Sequence, residues 1–183
     1  MKEILSRRSI RKYLLRNVEH EKILKLIESS RLAPSGSNTQ PWNFIIVTDN
    51  ETKKLLVAAD HNQQWMLDAP VFIVCVADIT CRIKDTEGLY LDENSPQPEL
   101  KLIIRDTAIA IENLLLEAEY IGLSACWTGW FEQKDIRNIL NIPDDKYVCG
   151  IITIGYGAEN PKQRPRRNLE DIIHYGRWGN LKK

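Results

Sequence analysis

A chain of 183 residues, 43% hydrophobic and 27% charged, is long enough to bury roughly two thirds of the surface its unfolded form exposes, so it needs no covalent staple to fold. Its 25 basic residues balance 25 acidic ones, which leaves no net field to recruit nucleic acid or an anionic membrane. The N-terminus, MKEILSRRSIRKY, holds no apolar core of signal-peptide length, and no later stretch approaches the roughly 20 apolar residues that span a bilayer; a cytoplasmic protein is expected.

The spacing of Ile23, Leu24, Ile27 and Leu32 predicts a helix over 18–33, stopped by Pro34. The segment LAPSGSNTQPW (32–42) then stays small, polar and stiffened by Pro34 and Pro41 where a plain connector runs to about two to six residues. Something is expected to lie against that backbone. WNFIIVT reads as a buried strand, and Thr48 with Glu51 has capping-box spacing ahead of a helix through ETKKLLVAAD. After the polar HNQQW, the run APVFIVCVAD is β-branched and bounded by turn residues, which predicts an interior strand. Residues 79–98 lose periodicity and turn polar and acidic, the pattern of a surface excursion that often forms a lid.

The longest helix is expected from about Glu99 to Tyr120, with Gly122 ending it in a left-handed conformation. Its middle, TAIAIENLLLEA, is apolar around most of its circumference; one face meets the core and another a second layer or a second subunit, a dimer seam being the preferred reading. LSACWTGW reads as a short strand and turn, EQKDIRNIL as a short helix and YVCGIITIGY as a central strand. The tail over 157–183 is rich in Pro and Arg, with a brief helical pattern at LEDIIHY. Too polar for a core of its own, it is expected to reach across to something else. Strands and helices alternate irregularly, which favours a mixed sheet flanked by helices. Cys75, Cys81, Cys126 and Cys149 show neither C-x-x-C nor zinc-ligand spacing, and three fall in apolar, strand-like runs; they read as small core hydrophobes in a reducing compartment.

The chain contains no G-x-x-x-x-G-K-[ST], H-E-x-x-H or G-x-S-x-G. GYGAEN lacks the third glycine of a dinucleotide fingerprint, and His20, His61 and His174 are scattered. Neither metal catalysis nor a Ser/His nucleophile is expected, so an organic cofactor would carry the difficult step. Three polar clusters remain. Arg7, Arg8, Ser9 and Arg11 supply several donors within five residues; such a run is often only a solvated face, but guanidinium forks match phosphate oxygens bidentately. Ser35, Gly36, Ser37, Asn38 and Gln40 offer donors to a flat heteroaromatic edge, with a plain helix-stop loop as the other reading. Arg164, Arg166 and Arg167 recur in a proline-stiffened segment, where a nucleic-acid tail is the rival, disfavoured by the neutral charge and the few aromatics between the arginines. Together the clusters suit one anionic cofactor carrying a phosphate.

SRRSIRKY, LAPSGSNTQPWNFIIV, EYIGLSACWTGWF and IGYGAENPKQRPRRNLEDIIHY occur in that order in the FMN-dependent nitroreductase family, which the chain resembles over nearly its whole length. The resemblance implies an α+β fold: a three-layer sandwich with a mixed central sheet flanked by helices. It also implies an intertwined homodimer with FMN at the subunit interface. Residues 1–183 would form one FMN-binding domain, with about 157–183 as a C-terminal arm embracing the partner. Carried over by position, Arg7, Arg8, Ser9 and Arg11 resemble the first phosphate and flavin contacts, and Pro34, Ser35, Gly36 and Asn38 the loop that the opposite subunit lays on the isoalloxazine ring. Asn62 matches a contact to the ring's pyrimidine side, a helix cap being its other reading; Trp127, Thr128 and Gly129 fall near the reactive N5 edge. Arg164 and Arg166 resemble the second phosphate clamp, with Arg167 a surface neighbour.

Without a cysteine-rich ferredoxin extension, the electron donor implied is NADH or NADPH, and the acceptor a small oxidised molecule such as a nitroaromatic, a quinone or a free flavin. Other flavin chemistry of the family (reductive dehalogenation, dehydrogenation, flavin fragmentation) and a non-catalytic FMN carrier are the alternatives. No metal, nucleic acid or membrane partner is implied.

Overall fold

In the computed structural model, residues 2–181 are described; Met1 and the last two residues of the expected arm, 182 and 183, lie outside them. A short helix α1 (Lys2–Ser6) is followed by α2 (His20–Arg31), β1 (Trp42–Val47), α3 (Asn50–Ala59) and β2 (Val71–Asp78). The long helix α4 (Pro98–Tyr120), β3 (Ser124–Thr128), α5 (Gln133–Leu140) and β4 (Lys146–Gly155) complete the order.

The strands form one sheet in the order β1-β2-β4-β3, with each neighbouring pair antiparallel. Among the described residues, the parallel pairing expected of a mixed sheet is confined to one bridge, Ser9 to Ala125. β2 is buried from Val71 to Ala77 because both its faces are covered. Phe72, Val74 and Val76 pack with Leu56 and Val57 of α3 and Ile136 of α5. Val71, Ile73 and Cys75 face the other way, toward Ile23 and Leu26 of α2 and Ile111 and Leu114 of α4. This period-two alternation makes the sandwich, and each such side chain contributes about 1.5–3 kcal/mol when fully buried.

The expected elements are present, with instructive differences. Gly122 takes the left-handed conformation (φ +77°) that stops α4. On α2 the buried residues are Ile23, Leu26 and Ser30, while Leu24 and Leu32 are 49% and 66% exposed; the expected apolar set therefore does not form one inner face. β1 is an edge strand rather than a buried one: only Trp42 and Val47 are buried and Ile46 is exposed. The residue that caps α3 is Asp49, which accepts from the Thr52 N–H at 2.8 Å, not Thr48. Residues 79–98 form the expected surface excursion, mostly exposed, but it is tied down: Leu91 is buried, its N–H donates to the Asp144 carbonyl at 3.0 Å, and buried Arg137 donates to its carbonyl. In the tail, LEDIIHY yields only a 3-10 turn over Leu169–Asp171, and Trp178 is 89% exposed. All four cysteines are free; Cys75 and Cys126 are buried, Cys149 is half-buried and Cys81 is exposed, which departs from the core role expected of it. Burial pushes the Cys149 thiol up to about 12.

Candidate functional site

After α1 the chain runs beside β3 and then beside the start of the tail. Ser9 bridges Ala125, and the Ile10 N–H donates to the Ala125 carbonyl at 3.1 Å. Tyr13 bridges Gly157, the Ala158 N–H donates to the Lys12 carbonyl at 2.8 Å, and the Arg11 N–H donates to Glu159 Oε1 at 2.6 Å. The buried Tyr13 hydroxyl, shared with Thr153 Oγ1 at 2.7 Å, pins this crossing to β4. The two chain ends are thereby zipped together, and Arg7, Arg8, Ser9 and Arg11 line one cleft of about 290 Å³ with Pro161, Lys162, Arg164 and Arg166. Arg167, taken as a neighbour, is outside the lining and donates to the Asp171 carbonyl.

Six cationic side chains border this cleft. Among the described residues only Arg7 of the six reaches a carboxylate side chain, Glu112, at 3.8 Å. Arg8 turns its Nη1 back on the carbonyls of Leu5, Ser6 and Arg7 at 2.7, 2.9 and 2.9 Å, and its Nε is buried without a partner. A buried orphan donor beside several unpaired cations fits a phosphate: each cation about 4 Å away adds up to about 4 kcal/mol of gross attraction at an effective dielectric of 20, before desolvation. Cys126 borders the same region. Burial pushes its thiol up, opposed by Arg11, Ser9 and Arg7.

Trp127, Thr128 and Gly129 lie two to four residues beyond Ala125, about 7–13 Å farther along at 3.3 Å per residue. Trp127 is 39% exposed, and its Nε1 donates to the Cys149 carbonyl at 3.3 Å. Its indole can lie across β4 only because residue 150 is glycine, where a Cβ would sit 2.0 Å from Nε1. Thr128 Oγ1 donates to Asp60 Oδ2 at 2.5 Å and accepts from Gln63 Nε2 at 2.8 Å. Sequence reading missed both Asp60 and Gln63; their only signal was the polar run that closes α3. Asn62 is exposed in a left-handed conformation (φ +54°), and its side chain makes no hydrogen bond among the described residues.

The loop of Pro34, Ser35, Gly36 and Asn38 is built separately. Gly36 N–H donates to Asp106 Oδ2 at 3.1 Å, and Arg82 Nη2 donates to the same oxygen at 3.1 Å. Ser35 Oγ accepts from the Gln40 N–H at 2.9 Å. Ser37, Asn38 and Gln40 all have φ between +50° and +55°, which costs of order 1–3 kcal/mol each and persists only where the surroundings over-determine it. The loop lines no part of the arginine cleft of its own chain. Within this chain, then, the two arginine clusters meet, while this loop, Asn62, Trp127, Thr128 and Gly129 stand outside the lining of their cleft.

A family model described as the nitroreductase family matches residues 4–156. The chain is 32% identical over 182 residues to a protein of Methanothermobacter thermautotrophicus that bears the name NADH dehydrogenase/NAD(P)H nitroreductase, the alignment covering 97% of this chain and 87% of that one. It is 27% identical to an FMN reductase (NADPH) of Bacillus subtilis, covering 93% of this chain and 71% of the other. Among solved structures, the NfrA1 nitroreductase of Bacillus subtilis matches with a TM-score of 0.86 at 26% identity, over 97% of this chain and 74% of that one. The family match ends at residue 156, so the placement of Arg164 and Arg166 rests on the cleft geometry.

Proposed function

The chain belongs to the nitroreductase family, and on that footing we propose that it is an FMN-dependent oxidoreductase moving a hydride from NADH or NADPH, by way of flavin N5, to a small oxidised acceptor such as a nitroaromatic, a quinone or a free flavin. The observation that carries this reading is the convergence of Arg7, Arg8 and Arg11 with Lys162, Arg164 and Arg166 on one cleft. The names of relatives, an FMN reductase (NADPH) and an NAD(P)H nitroreductase among them, support the cofactor and the donor.

In this reading the cationic cleft holds the phosphate through bidentate guanidinium contacts, with Ser9 adding a hydroxyl donor. Trp127, Thr128 and Gly129 flank the ring, and backbone N–H groups stabilise charge that develops there. FMN, when bound, supplies the two-electron chemistry that no side chain of this composition provides. Pro34, Ser35, Gly36 and Asn38 cover the opposite ring face from a second copy of the chain, and Asn62 meets its pyrimidine side. No residue is needed as a covalent nucleophile. The whole chain is one FMN-binding domain, its residues from 157 onward an arm that crosses to the partner; exposed Leu169, Ile172, Tyr175 and Trp178 supply that arm with apolar surface to bury. A cytoplasmic setting accords with the four free cysteines.

The test is spectroscopic. Purified protein should be yellow with bound FMN, bleach when NADH or NADPH is added without oxygen, and regain colour on addition of a nitroaromatic or quinone. Yellow protein that neither nicotinamide bleaches would make it a carrier; colourless protein that takes up no FMN would overturn the proposal.

A further inference from the structure

Asp60, just past the end of α3, is fully buried, and both carboxylate oxygens serve one short stretch of chain. Oδ2 accepts from Thr128 Oγ1 at 2.5 Å and Oδ1 accepts from the Trp130 N–H at 3.0 Å. Gln63 fixes the direction of the first bond: its Nε2 donates to Thr128 Oγ1 at 2.8 Å while its Oε1 accepts from Trp65 Nε1 at 3.1 Å. The single threonine proton is therefore committed to Asp60. Beyond Trp130 a second grip follows. The Trp130 carbonyl accepts from His61 Nδ1, and the two rings stack with centroids 4.0 Å apart, 10° from parallel.

Gly129 lies between the two gripped residues. It is exposed, and its N–H makes no hydrogen bond among the described residues. A free amide bracketed by two immobilised neighbours is the arrangement that makes a backbone donor effective, since no reorganisation is needed when charge develops in front of it. Resting on the reading that the end of β3 meets the flavin ring, we propose that Asp60 is a positioning residue: it clamps Thr128 and Trp130 so that the Gly129 amide is presented to the ring, and it sets a buried negative charge behind that contact. Such a charge opposes the addition of electrons to the ring and so lowers its reduction potential. A brace with only a structural role would leave that potential unmoved.

The experiment compares the full-length, FMN-loaded protein with Asp60→Ala and Asp60→Asn, reading the FMN dissociation constant, the flavin midpoint potential and the thermal unfolding midpoint. Asp60→Ala removes both acceptors and should weaken FMN by about tenfold or more, as expected for loss of a charged hydrogen-bond partner. Asp60→Asn keeps the shape and one acceptor, so affinity should stay within about threefold while the potential moves positive, because the charge is gone. An Asp60→Ala protein with unchanged FMN affinity, or a folded Asp60→Asn protein with unchanged potential, overturns the proposal. If Asp60→Ala does not fold, the potential of Asp60→Asn decides alone. A wild-type chain that takes up no FMN overturns instead the reading of the site on which this one rests.

Discussion

Arg7 and Arg166 stand 159 positions apart in the sequence yet face the same cleft, and neither arginine explains itself alone. A guanidinium on a surface costs little, whereas several unpaired ones facing each other repel; without an anion the arrangement is unfavourable. Replacing both, in Arg7→Ala combined with Arg166→Ala, removes two charge-assisted contacts. At about 1.5 kcal/mol each, their loss should weaken FMN by about two orders of magnitude in a fluorescence titration of apoprotein. Retention equal to wild type would show that the phosphate lies elsewhere. The residue types were legible beforehand because arginine clusters are visible in a linear sequence. Asp60 was not, since a single acid at a helix end looks like any other until Thr128 and Trp130 close on it.

Between elements, polar and charged contacts tie the start of α2 to Tyr156 just past β4, beside the apolar packing of Ile23 and Leu26 against Ile152 and Ile154. Glu19, at the N-cap of α2, accepts from the Tyr156 hydroxyl at 2.6 Å and from Arg16 Nη2 at 3.1 Å, and Lys22 Nζ donates to the same hydroxyl at 3.1 Å. The Tyr156 hydrogen bond, then the backbone, then Arg16 hold the Glu19 carboxyl down from 4.5 to about 2. A lowered carboxylate contributes stability that is complete above its unfolded value and is lost as pH falls through its folded one. Glu19→Gln should therefore flatten the fall of the unfolding temperature between pH 4.5 and about 2, measured by circular dichroism against wild type. Parallel curves across that window would mean the contact adds nothing. Element boundaries were legible where periodicity or a stop signal was strong, as at Gly122. They were less so where a strand's place in the sheet decided burial, for WNFIIV reads as interior and is an edge.

At the scale of the whole molecule, apolar surface remains that a lone chain leaves in water. Ile4, Leu5 and Tyr120 are 60%, 68% and 72% exposed around α1 and α4, and the tail adds Leu169 and Trp178. Burial of such area at about 25 cal/mol per Å² favours association. Sedimentation should give twice the 21.2 kDa chain mass, and a chain ending at residue 156 should lose both dimer and FMN. A stable monomer that binds FMN fully would contradict the shared site.

What the linear sequence determined by itself was local: period-two runs that become strands, period-3.6 runs that become helices, and clusters of arginine, serine and glycine able to hold a phosphate. These follow from nearest-neighbour chemistry, which the order of residues carries directly. Only the tertiary structure decided that both chain ends meet at one cleft, that Asp60 clamps the end of β3, and that the 34–40 loop stands apart from the arginines of its own chain. Those are contacts between distant segments, selected by how a twisted sheet and its two helical layers close over a common core, and no short window of sequence contains both partners.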